Sequence, residues 1–460
     1  MEKIDIKRFY QNEKEYEGKS VTVAGWVKSA RGGKSFGFLD LNDGSCFKGI
    51  QVVFDADKLS NFDVVSNLNT GSSVLVNGTL ILTPEARQPF EIHASEVQIL
   101  SATDSEYPLQ KKKMTLEYLR EQAYLRPRTN TYSAAFRIRS ECAYAIHKFM
   151  HEEGLVYVHT PIITKSDCEG GSQLFRVSSQ DIYAPNSSLN PDDELFGGKV
   201  YLTPTGQLEG EAMALALGKI YTFGPTFRAE NSNTTRHANE FWMVEPEISF
   251  CDLDGLMDFE EKMIKSVINH ILETCGQELE FCNRNIDNDL IERLKLVANS
   301  EFGRITYTDA IEVLKKNNDK FEYKVEWGCD IQTEHERYLS EIVFGKPVFV
   351  TNYPKEIKAF YMKQDEGGKT VSAVDLLVPG IGELTGGSQR ETDFEKLTSR
   401  MNELGLRQED YWWYLNLRKY GSVEHSGFGI GFERFVMYLT GMSNIRDVEL
   451  FPRTPNNCEF

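Results

Sequence analysis

The sequence lacks any run of about 18 apolar residues, so nothing in it is built to span a membrane. Its N-terminus, MEKIDIKRFYQNEKEYEGK, has no apolar segment of the kind a secretory signal needs. That stretch is also rich in acidic residues, which argues against a transit peptide. There is no Cys-x-x-Cys pair. Cys46, Cys142, Cys168, Cys251, Cys275, Cys282, Cys329 and Cys458 are scattered, which supports neither a zinc site nor a disulfide framework. A reduced, cytoplasmic protein with incidental thiols is expected. Excess positive charge is missing too: the net charge of −18 argues against bulk attraction to nucleic acid and leaves any such binding to local basic surface. The run Gly427 to Gly431 could pass for a dinucleotide loop, but no strand-then-βαβ context surrounds it, so that reading carries little weight.

What is present fits an ordinary globular chain. With 460 residues, 40% of them hydrophobic, two or three domains with sizeable cores are expected. Residues 20–100 read as a small all-β module with candidate strands Val21–Val27, Phe36–Asn42, Gly49–Phe54, Ser73–Leu82 and Phe90–Leu100. Five short strands separated by turn residues fit an OB-fold barrel. Residues 105–131 read as a linker, with the basic run Lys111-Lys112-Lys113, which is either solvated or tracks a nucleic-acid backbone. Ser133 to Glu153 shows helical spacing, with Ser133 as cap and Gly154 as stop. Val348–Tyr353 and Ala359–Met362 read as strands, and 283–345 as a helical insertion without identifiable chemistry. The expected division is 1–104, 105–131 and 132–460.

The stretch Tyr221 to Phe250 carries the chemistry. It reads as two strands joined by a polar loop too long for a tight hairpin. Arg228 and Glu230 leave the first arm, and Arg236, His237 and Phe241 approach the second. A guanidinium for phosphate, a carboxylate for an exocyclic amine and a ring for a base face make a nucleotide site.

The order of these residues resembles motif 2 of the class II aminoacyl-tRNA synthetases, in the subgroup for aspartate, asparagine and lysine. Gly427-Phe-Gly-Ile-Gly-Phe-Glu-Arg434 resembles motif 3, and the long helix followed by LVYVH and Pro161 resembles motif 1. The segments GWV at 25–27, FLDLND at 38–43 and IQVVF at 50–54 resemble the subgroup's anticodon-binding barrel. The tail Phe451-Pro-Arg-Thr-Pro455, ending NNCEF, resembles the ending of the bacterial asparagine-specific members.

The resemblance implies an α+β chain: an N-terminal OB barrel and a catalytic domain on an antiparallel sheet flanked by helices. It implies a ligase that joins L-asparagine to tRNA(Asn) through an adenylate made from ATP, with Mg²⁺, as a homodimer formed through motif 1. Arg228, Arg434 and Glu383 would act on the phosphates, with Arg236 and His237 beside them. Glu230 and Phe241 would grip adenine. Glu383 would bind the metal, with Ser388 or a neighbour assisting. Glu169, Gln207, Glu211 and Arg390 would hold the amino acid, and Arg31, Phe38 and Gln51 the anticodon. Glu211 is expected to accept from the asparagine amide and repel aspartate. An aspartate-specific member of relaxed specificity, an asparagine-synthetase-like paralogue and a non-catalytic nucleic-acid-binding protein stand as alternatives.

Overall fold

The computed structural model describes residues 2–86, 88–110, 114–166, 168, 173–181 and 190–460. The chain divides into two compact units, residues 1–136 and 137–460.

The first unit holds a closed barrel of β1 (Ser20–Gly32), β2 (Phe36–Asn42), β3 (Ile50–Asp55), β4 (Ser73–Leu82) and β5 (Phe90–Ser101), in the order β1-β2-β3-β5-β4. Period-two alternation builds it. Val21, Val23, Leu39, Leu41, Val52, Phe54, Val74 and Val76 are buried in its core, and the residues between them are more exposed, apart from Thr22, which is buried and donates to Asn77 Oδ1 at 2.6 Å. Burying a side chain such as Phe54 or Phe90 contributes about 1.5–3 kcal/mol. Strand β1 runs past the sequence boundary at Val27. A bulge between Val27 and Ser29 lets it continue pairing with β2 as far as Gly32.

Among the described residues, the second unit is built on an eight-stranded sheet, ordered β12-β13-β14-β15-β16-β11-β10-β6. These are β6 (Val156–Tyr157), β10 (Lys219–Phe227), β11 (Glu240–Ser249), β12 (Gly303–Thr306), β13 (Val348–Pro354), β14 (Thr370–Val378), β15 (Gly382–Gln389) and β16 (His425–Gly431). The six inner strands pair antiparallel, and the outer two, β6 and β12, join in parallel. A small sheet of β7 (Ile163–Thr164), β8 (Arg176–Val177) and β9 (Val200–Leu202) stands apart. The helix Leu253–Thr274, capped by Asp252, buries Met263, Ile264, Val267 and Ile271, a stripe at helical spacing.

Three local expectations change. The helix read from Ser133 begins at Asn130, and Ser133 lies inside it, its amide donating to Thr129 O at 2.9 Å. Ala359–Met362 is not a strand. Only Met362 bridges, to Arg390, and the amide of Glu391 ties back to Tyr361 O at 2.8 Å, folding the segment over the sheet. The stretch 283–345 holds helices such as Leu290–Asn299 and Tyr307–Lys315, but it also supplies β12 to the sheet edge.

Candidate active site

Strands β10 and β11 pair from Lys219↔Ile248 to Phe227↔Glu240, and the polar loop closes them. Asn239 ties the loop shut. Its carbonyl accepts from the Arg228 amide at 3.0 Å, and its Nδ2 donates to Arg228 O at 2.7 Å and Glu230 O at 2.9 Å. The Arg228 guanidinium carbon stands 5.4 Å from the Phe241 ring centroid, a cation–π distance.

These groups line a cavity of about 430 Å³ on the sheet. Gly386, Gly387, Gly429 and Gly431 form much of its floor. A Cβ on Gly429 would strike Met243 at 2.6 Å, and one on Gly387 would lie 2.6 Å from the Phe428 Cβ. Bare backbone at these positions keeps the floor open for a planar group. Beside it, Gly427 on β16 pairs with Glu247 on β11 and leaves room for that carboxylate, whose carbon would lie 2.3 Å from a Cβ there.

Two clusters face this floor. The first joins Arg228, Arg236 and Arg434 to Glu383, with Lys358 and Asp375 beside them. Arg434 Nη1 lies 3.7 Å from Glu383 Oε1, and Lys358 donates to Asp375 at 2.7 Å. Burial and then the Asp375 charge push the Glu383 carboxyl up, opposed by Arg434, Lys358 and Arg228. Burial, and then the like charge of Arg434, lowers Arg236. Arg236 also donates to Thr333 Oγ1 at 3.2 Å, on the helix Thr333–Arg337. On that helix Glu336 accepts from the Glu383 amide at 3.0 Å and is pushed up to about 7, chiefly by burial.

The carboxylates also fit a hard divalent cation. A Cβ built on Gly386 would stand 3.3 Å from Asp375 Oδ1 and 3.8 Å from Glu383 Oε1, so both oxygens flank one bare patch. A cation there would relieve the repulsion that raises Glu383. Among the described residues no cluster holds an ion by itself, so phosphate oxygens would have to complete it. Ser388, expected to assist, is not there. It lies five positions along β15 from Glu383, roughly 16 Å at about 3.3 Å per residue. Its buried hydroxyl accepts from Arg390 Nη1 at 2.8 Å.

The second cluster comprises Gln207, Glu245, Glu247 and Arg390. Arg390 grips Glu247 through Nη2 and Nε, and burial pushes Glu247 up to about 7 in spite of that pairing. Glu245 accepts from Thr205 Oγ1, from the Gly206 amide at 3.0 Å and from Thr222 Oγ1 at 2.9 Å.

Glu211 corrects the sequence reading. It is fully buried behind Arg390 and does not line the cavity. Tyr414 Oη donates to both its oxygens at 2.9 and 2.8 Å, Arg418 Nη2 donates at 2.8 Å and Gln207 Nε2 at 3.1 Å. His425 Nε2 stands 3.1 Å away. Those partners fill its acceptor sites and leave it facing protein, not substrate. Its place one helical turn from Gln207 is why the sequence aligns it with the pocket while packing turns it away.

In the barrel, Arg31, Phe38 and Gln51 share one outer face. Arg31 pairs with Phe38, and Asp40, on Phe38's side of β2, pairs with Gln51. Arg31 is on β1, not in the loop before Phe38 as the sequence suggested. Phe38 lies outside the core, 5.5 Å and nearly perpendicular to the Phe36 ring. Gln51 Nε2 donates to Glu91 at 2.8 Å, and His93 meets the other Glu91 oxygen at 2.8 Å.

Glu169 and Lys111 to Lys113 lie outside the described residues. Sequence reasoning missed Lys358, Asp375, Tyr361, Glu245, Glu247, Glu91 and His93. Glu245 and Glu247 carried a signal: two acids two apart on a strand share a face. Lys358 and Asp375 carried none, because only the fold pairs them.

Residues 115–455 match the family model for tRNA synthetases class II (D, K and N), and residues 21–100 match that for the OB-fold nucleic acid binding domain. The chain is 57% identical over 459 residues to the asparagine–tRNA ligase of Acetivibrio thermocellus, covering 99% of each. It is 56% identical over 464 residues to that of Clostridium tetani, covering all of both. The structure is similar to that of the Pyrococcus horikoshii asparaginyl-tRNA synthetase complexed with asparaginyl-adenylate, at 33% identity and TM-score 0.88, covering 100% of this chain and 99% of the other. The chain belongs to the class II tRNA synthetases of the aspartate, lysine and asparagine group.

Proposed function

We propose that the chain ligates asparagine to tRNA in two steps in one cavity. The asparagine carboxylate attacks the α-phosphorus of ATP, the bond to the β-phosphate oxygen breaks and pyrophosphate leaves. A ribose hydroxyl of the terminal tRNA adenosine then attacks the adenylate carbonyl, loses its proton and displaces AMP. The observation that carries this reading is the pairing of the two clusters on a single glycine floor, one cationic and one built to hold a small polar amino acid.

The first step needs no general base, because the attacking carboxylate is already ionised. Its barrier lies in positioning and in charge on the phosphates. Arg228 meets the α-phosphate, Phe241 stacks on the adenine ring, and Glu230 meets the adenine amine. Arg434, Arg236 and His237 hold the outer phosphates. Glu383 and Asp375 would hold Mg²⁺, which when bound would neutralise phosphate charge and orient the chain.

At the other cluster the asparagine side chain needs one donor and one acceptor. Arg390 donates to its oxygen. Glu245, whose Oε1 accepts from Thr205 among the described residues, accepts from its nitrogen and repels aspartate. Gln207 completes the pocket wall.

A homodimer in the cytoplasm belongs to the same reading. Tyr144, Val156, Tyr157, Ile162 and Ile163 leave an apolar surface exposed around the motif 1 helix and β6. Charging of tRNA with asparagine and with aspartate, on protein weighed by light scattering, tests the whole. Formation of asparaginyl-tRNA by a species of twice the chain mass is expected. Preferential charging with aspartate refutes the substrate, and a fully active monomer refutes the dimer.

Phe38 separates the two units' roles. A half-buried ring on the outer face of a barrel can stack on an unpaired base, so Phe38→Ala weakens tRNA charging by about 1–3 kcal/mol. Pyrophosphate exchange without tRNA stays unchanged. Equal damage to both reactions removes Phe38 from the anticodon site.

A further inference from the structure

The loop that carries Arg236 and His237 makes no ladder bonds between Glu230 and Asn239, yet it must present guanidinium groups at fixed positions. Besides the Arg236 bond to Thr333, its support comes from residues 444–460. The Ile445 amide donates to Thr235 O at 2.8 Å. The Arg446 guanidinium spans the loop tip, donating from Nη1 to Thr234 O at 3.2 Å and from Nη2 to Asn233 Oδ1 at 2.6 Å. At the loop's return, the Asn239 amide donates to Arg453 O at 2.7 Å. Arg453 is held in turn: its Nη2 donates to Phe460 O at 2.6 Å, and the Phe460 ring lies 5.7 Å from that of Phe451. A turn at Thr454 to Asn457, closed by reciprocal amide bonds and by Asn456 at φ 61°, folds Phe460 back to that position.

We infer that residues 444–460 are a strap that fixes the ATP-binding loop, with Arg446 and Arg453 as positioning residues for Arg228, Glu230 and Arg236. The connection is continuous. Phe460 orients Arg453, Arg453 holds Asn239, and Asn239 binds the backbone of both Arg228 and Glu230. Arg446 acts at the tip, two residues from Arg236. Neither arginine lines the cavity, so neither touches ATP directly. Their effect is to hold the loop in its bound form before ATP arrives, which removes an ordering cost from binding. Asparagine meets Arg390 and Glu245, to which the strap makes no hydrogen bond among the described residues. Loss of the strap therefore weakens ATP and spares the amino acid.

This inference rests on the proposed activation of asparagine by ATP. The test is asparagine-dependent ATP–pyrophosphate exchange on the full chain, with each substrate varied separately. Arg446→Ala removes two charge-assisted bonds and raises the KM for ATP roughly tenfold or more. The KM for asparagine and the melting temperature change little. Arg446→Lys, which keeps the charge and can reach one acceptor, restores part of the loss. Deleting Cys458 to Phe460 raises the KM for ATP in the same direction. Both variants having the wild-type KM for ATP overturns the strap. So does an equal rise in KM for both substrates, which marks general damage. If the wild-type chain itself shows no exchange with asparagine, the proposed function fails, an outcome distinct from either of these.

Discussion

Replacing Arg228 with alanine lowers asparagine-dependent ATP–pyrophosphate exchange by roughly 10²–10³ or more, the range found for removing one preorganised group that meets transition-state charge. The size follows from the chemistry of the step. With the nucleophile already ionised, two negative groups must approach, so the gain from a fixed cation is larger in the transition state than in either ground state. Arg228 is fixed on both sides, by its backbone bonds to Asn239 and by the Phe241 ring under its guanidinium. Lys358 and Arg434 are nearby, but they face Asp375 and Glu383 and cannot replace it at the α-phosphate. The loss therefore falls on kcat more than on the KM for ATP. Near-normal exchange in a folded Arg228→Ala protein refutes this role.

The same residues show what the sequence discloses. The β10–β11 arms were legible because alternating aromatic and β-branched residues on both sides of a polar loop have few other solutions. The barrel strands were legible for the same reason, whereas the face that carries Phe38 and Gln51 followed only from the resemblance to the subgroup's anticodon-binding barrel. The cationic groups of the nucleotide cluster were legible as residue types in order along the chain. What was not legible depends on pairings between distant strands. Lys358 meets Asp375 only because the segment after β13 folds over β14 instead of forming the strand its residues suggest. Ser388 looked close to Glu383 along the chain, yet an extended strand carries it away. Helix Thr333–Arg337 lay in a stretch with no sequence signal, and it brings Glu336 under the Glu383 amide. In each case the deciding quantity is where a strand ends or a segment turns, which composition and periodicity do not specify.

Glu211 is the clearest such case, and its replacement has the second large effect. The sequence made it the selector between asparagine and aspartate. The structure makes it the buried anion that gathers Arg418, Tyr414, His425 and Gln207 behind Arg390. Arg418 is itself buried, so Glu211→Ala leaves an uncompensated cation and costs about 3–5 kcal/mol of stability. Glu211→Gln keeps the shape but loses the charge and lowers stability in the same direction. Because Gln207 and Arg390 lose a common support, activity with asparagine and with aspartate falls together, and the ratio of the two kcat/KM values stays near that of the wild type. The pH dependence has a definite sign. The charges of Arg418, His425 and Arg390, outweighing burial, hold the folded-state carboxyl far below its ordinary value of 4.5. A carboxyl depressed on folding stabilises fully above the unfolded value and progressively less as pH falls toward the folded one. The stability gap between wild type and Glu211→Gln is therefore constant above about pH 4.5 and narrows below it. Denaturant titrations from pH 3 to 8, with charging assays at neutral pH, measure both effects. A changed asparagine-to-aspartate ratio with unchanged stability returns Glu211 to the substrate pocket.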